Sequence, residues 1–67
     1  MIENLDLYRV AKMLVDEHGE DAATYAAMRA DILLADGRTE AATVWKGIMV
    51  AVEELQRKQR VVDDQLH

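Results

Sequence analysis

An all-α fold is predicted from three observations. The chain has no proline and only three glycines. Its apolar residues recur three and four apart along most of its length. Two of the glycines, Gly19 and Gly37, cut that pattern into three segments. Short connections make sequential helices antiparallel, so the expected architecture is an antiparallel up-down-up three-helix bundle with a long third helix. One domain is expected over residues 1–60, followed by a C-terminal tail, 61–67.

In the first segment Leu7, Tyr8, Ala11, Leu14, Val15 and His18 fall on one helical face. Asn4 or Asp6 can cap this helix, and Gly19 supplies the left-handed residue that ends it without a Cβ penalty. The second helix is expected from about Asp21, a capping carboxylate, to about Asp36, with Gly37 as terminator. Ala22, Ala23, Ala26, Ala27 and Ala30, continued by Leu33 and Leu34, form one side, and Tyr25, Met28 and Ile32 form another. An alanine face permits approach near the short end of the usual ~8–10 Å interaxial range. Two apolar sides imply two neighbours, which places this helix in the middle.

The third helix begins at Thr39, a good N-cap residue, and meets no stop signal until about Arg60. Ala41, Trp45, Ile48, Val52, Leu55, Gln59 and Val62 alternate four and three apart, as in a coiled-coil seam with one polar member. Val44 and Ala51 widen the stripe on one side, Ala42 and Met49 on the other. At ~1.5 Å per residue this helix is roughly 33 Å long against roughly 20 Å for the first, so about two turns outrun its neighbours. Val52, Leu55, Gln59 and Val62 are therefore the candidate interface of a homodimer, and Gln59 could set the register by meeting its symmetry mate.

A dimer also answers a problem of size. A chain of 67 residues buries only roughly 60% of the surface exposed when unfolded, and such domains are stabilised by disulfides, metals or association. There is no cysteine, which removes disulfides and thiolate zinc sites. The net charge of −5 argues against a duplex nucleic-acid partner, which needs bases to neutralise phosphates. The N-terminal MIENLDLYRV has no basic and then apolar leader pattern, and no apolar run approaches the ~20 residues of a membrane span. The expectation is a cytoplasmic protein with no membrane partner.

The stretch DEHGED, Asp16 to Asp21, raises the question of a site. Glu20 and Asp21 complement the positive start of the second helix and His18 the negative end of the first, so a helix junction suffices. The alternative is a metal- or small-ligand-binding protein centred on His18, with Asp21 and Arg29. Against a metal, consecutive helical residues point about 100° apart, no second histidine is near, and no H-E-x-x-H or EF-hand spacing is present. No catalytic residue and no cofactor are expected. There is no serine or cysteine nucleophile, Thr24, Thr39 and Thr43 sit near helix starts, and so short a chain has little room for a pocket of ~300 Å³ or more. Trp45 reads as a core residue on the seam. Arg29, between Met28 and Ala30, reads as a snorkelling surface residue or as the partner of a carboxylate.

The run from Asp6 to Leu55, through HGEDA, MRAD and AATVWKGIMVAVEEL, resembles a family of short, mostly alphaproteobacterial proteins of unknown function. The resemblance implies no activity, only that His18, Arg29 and Trp45 belong to the family's pattern. LLADGRTEAATVW is also similar to the inter-helix turn of tetratricopeptide hairpins, although one hairpin cannot make an array. A self-associating interaction or adaptor module is the expected function. A helix-turn-helix regulator is the weaker rival, because the basic cluster Arg57 to Arg60 is brief and is followed by Asp63 and Asp64.

Overall fold

A computed structural model describes residues 4–66, with side chains described over residues 6–60. The chain is all-helical: α1 (Asn4–His18), a single 3-10 turn (Gly19–Asp21), α2 (Ala22–Ala35) and α3 (Thr39–Leu66), with no strand among the described residues. Both terminator glycines adopt the left-handed conformation expected of them, Gly19 at φ 58° and Gly37 at φ 81°. At Gly37 the geometry is a Schellman motif. The Arg38 N–H donates to the Leu33 carbonyl at 2.8 Å and the Gly37 N–H to Leu34 at 3.0 Å, so two of the last carbonyls of α2 are satisfied.

The starts of the helices differ from expectation. Asp21 does not cap α2 with its side chain; its backbone is already helical, at φ −86°, and the 3-10 turn leads straight into the helix. Thr39 is the first helical residue rather than the cap. The Ala42 N–H reaches back to the Arg38 carbonyl at 3.0 Å, and the Thr43 hydroxyl donates to the Thr39 carbonyl at 3.0 Å. The helix α3 also runs past Arg60 to Leu66, so residues 61–66, expected as a tail, continue it. Its 28 residues are about 42 Å long at ~1.5 Å per residue, which sets the long dimension of a molecule of 46 × 22 × 15 Å.

The central helix is α3, not α2. Both α1 and α2 pack chiefly on α3 and only lightly on each other. Of the two apolar sides of α2, the alanine side is the buried one, with Ala22, Ala26 and Ala30 closed off, whereas Met28 is 51% and Ile32 53% exposed. The stripe of α3 is the one wide enough for two neighbours: Ala42, Ile48, Ala51 and Val52 are buried, and Val44, Trp45, Met49 and Leu55 are partly buried against them. Gly47 allows the close approach of α1, since a Cβ there would stand 3.3 Å from Leu7 Cδ1.

The core is small in kind as well as extent. Nine described residues are buried hydrophobics, Ala11, Leu14, Ala22, Ala26, Ala30, Ala42, Ile48, Ala51 and Val52, and six of those nine are alanine. Alanine removes little apolar area from water, whereas a fully buried large side chain contributes ~1.5–3 kcal/mol. Leu14, Ile48 and Val52 therefore carry a disproportionate share of the stability.

Candidate functional site

Two features join the α1–α2 corner to α3. The first is the polar corner itself. The carbonyl of the left-handed Gly19 accepts the Ala22 backbone N–H and a hydrogen bond from Gln56 Nε2 at 3.0 Å, which ties the corner to α3. Beside that bond lies an open groove of about 530 Å³, lined by Val15, Gly19, Glu20, Gln56, Gln59 and Arg60. The expectation that so short a chain has no room for a pocket of this size is thus corrected. The acidic corner meets the basic stretch of α3 here, with Glu20 and Arg60 lining the same groove.

The second feature is a row of side chains from all three helices. The His18 ring stacks on Tyr25 with centroids 4.4 Å apart and planes at 17°. Tyr25 meets Trp45 edge-on at 6.1 Å and 68°, and the Arg29 guanidinium lies 5.6 Å from the Trp45 ring centroid. Offset stacking, edge contact and a cation over an indole are each favourable geometries. Arg29 is therefore an exposed residue held by an aromatic face, not a buried partner of a carboxylate.

The structure brings His18 and Arg29 to one row but gives Asp21 no ion pair or side-chain hydrogen bond with either among the described residues. The imidazole Nε2 stands 3.9 Å from Glu17 Oε2, too far for a hydrogen bond. No group of three metal-ligating side chains occurs among the described residues. Tyr25 was the member that sequence reasoning missed, although it lies four residues before Arg29 and so shares its side of the helix.

Of the four candidate interface residues, Val52 is corrected: it is fully buried by its own chain and offers nothing to a partner. Leu55 is partly buried at the edge of the same core. Gln59 is exposed in the groove. Val62 lies on α3 but outside the residues whose side chains are described.

One further tie joins α1 to α3. The Tyr8 hydroxyl donates to the Glu54 carboxylate, and this bond, followed by partial desolvation and the negative charge of Glu54, holds the Tyr8 phenol above its ordinary value of 10.0. A raised folded-state value means that folding favours the protonated phenol. The contribution is complete below pH ~10 and is lost as pH rises beyond it. The stability of the unaltered protein is therefore expected to fall more steeply above pH ~10 than that of Tyr8→Phe in urea melts; parallel pH profiles would contradict the bond.

The chain matches no family model, no curated protein and no solved structure. No helix among the described residues is long and apolar enough to cross a membrane.

Proposed function

We propose that this chain is a small, non-enzymatic interaction module of the cytoplasm, an up-down-up three-helix domain that works as a homodimer joined through the far half of α3. The observation that carries the reading is surface area. The chain exposes 5215 Å², whereas a monomeric protein of 7.6 kDa exposes roughly 4300 Å². The excess of roughly 900 Å² compares with about 800 Å² per partner in a standard protein interface. A core made mainly of alanine points the same way, because it leaves little stability to a lone subunit.

Four contacts support the helix order. Leu7 lies against Gly47, Gly19 meets Gln56, and Tyr25 and Arg29 meet Trp45. From Leu7 to Gly19 the partner on α3 advances from Gly47 to Gln56, and from Gly19 on to Tyr25 and Arg29 it falls back to Trp45. The resemblance to short alphaproteobacterial proteins fits the same reading: the residues of its pattern, His18, Arg29 and Trp45, build the row that ties the helices together, which is a structural use. A ligand centred on His18 finds less support, since its ring is committed to Tyr25 and Arg29 to Trp45.

Association that stabilises the folded state makes the melting temperature depend on protein concentration. The midpoint is expected to rise by several degrees between about 1 and 100 μM chain. A midpoint that does not move over that range would remove the proposal.

A further inference from the structure

We infer that two copies pair antiparallel through residues 55–66 of α3, crossing between Arg60 and Val61. This inference rests on the homodimer reading above and gives it an orientation and a register.

The corner of α1 and α2 is fixed to α3 at Gln56, yet the α3 backbone continues helical for ten more residues, to Leu66. The twelve residues from Leu55 read LQRKQRVVDDQL. Reversing this segment about its midpoint places Leu55 level with Leu66, Gln56 with Gln65, Arg57 with Asp64, Lys58 with Asp63 and Gln59 with Val62. The seam positions Leu55, Gln59, Val62 and Leu66 are spaced four, three and four, so the seam maps onto itself under the reversal. The charges invert under it: Arg57 and Lys58 of one copy come level with Asp64 and Asp63 of the other, while Arg60 lies level with Val61 at the crossing.

A parallel pair would instead set bases beside bases and acids beside acids within a Debye length of about 8 Å. Antiparallel pairing also opposes the helix dipoles. The same register explains the groove. It brings the last helical turn of the second copy level with Leu55 and Gln56, against the opening lined by Val15, Gly19 and Glu20. In this register Gln59 faces Val62 of the second copy rather than its own mate, so its alkyl stem packs on the seam while its amide stays at the open groove.

The chain has no cysteine, so a single introduced thiol reports one position in each copy. Lys46→Cys and Glu53→Cys, both at exposed sites, carry a nitroxide, and dipolar spectroscopy reads the distance between copies. At ~1.5 Å per residue, antiparallel pairing gives an axial separation of roughly 45 Å for Lys46→Cys and roughly 25 Å for Glu53→Cys. Similar short distances at both sites in a sample whose mass is that of a dimer would overturn the antiparallel register while leaving the homodimer intact. A one-chain mass with no dipolar signal at either site would overturn the homodimer itself.

Discussion

Replacing Ile48 by alanine is expected to leave most of the protein unfolded at room temperature. Ile48 is 3% exposed in a core whose other large members are Leu14 and Val52. It comes from α3, the helix against which both others pack. Truncating a buried isoleucine to alanine costs ~2–5 kcal/mol through lost transfer energy and the cavity left behind. A single core in a chain of this length rarely supplies more than ~3–5 kcal/mol in total, so the loss is comparable to the whole. Val50→Ala, on a side chain 51% exposed on the same helix, is the matched control and should change stability by no more than ~0.5 kcal/mol. Urea melts followed by far-ultraviolet circular dichroism check both, and similar midpoints for the two variants would contradict the placement of the core.

Placing a charge on the seam beyond the corner, as in Val62→Asp, is expected to dissociate the proposed dimer without unfolding the subunit. Leu55→Asp is less clean, because Leu55 also packs against the core of its own chain. Each large apolar side chain removed from water is worth ~1.5–3 kcal/mol, and two-fold symmetry counts it twice. The dissociation constant should therefore rise by roughly two to four decades, at ~1.4 kcal/mol per decade. Sedimentation velocity on the variant, with helicity checked in parallel, reads the outcome. An unchanged mass with unchanged helicity would move the interface off this seam.

Much of the backbone was legible because it rests on local chemistry. Gly19 and Gly37 end helices by adopting the one conformation that other residues avoid, and that follows from residue type alone. The same logic misplaced the helix starts. Asp21 and Thr39 are good caps by type, but a 3-10 turn carries the chain round at Asp21, and Arg38 supplies the first acceptor of α3. Assigning the middle place to α2 treated two apolar sides as two neighbours. Its Met28 and Ile32 are instead left largely exposed. The flanking pairs Val44 with Ala51 and Ala42 with Met49 already marked α3 as the helix with room for two partners.

The candidate site was legible by residue and not by arrangement. His18, Arg29 and Trp45 each stood out in the sequence, yet they come from three helices; Arg29 meets Trp45 directly, and His18 joins them only through Tyr25. Contacts of this kind depend on interhelical packing, which spacing along one helix does not encode. That Glu20 of the acidic corner and Arg60 of the basic stretch share one groove was readable, since an up-down-up order predicts it. The hydrogen bond from Gln56 to the Gly19 carbonyl beside the groove was not, because it depends on how the helices pack.

The central claim is that the folded unit is two chains, and light scattering on the unaltered protein at micromolar concentration tests it most directly. The expected mass is twice the 7.6 kDa of the chain, with no larger species. A mass of 7.6 kDa throughout that range, with helicity intact, would contradict it.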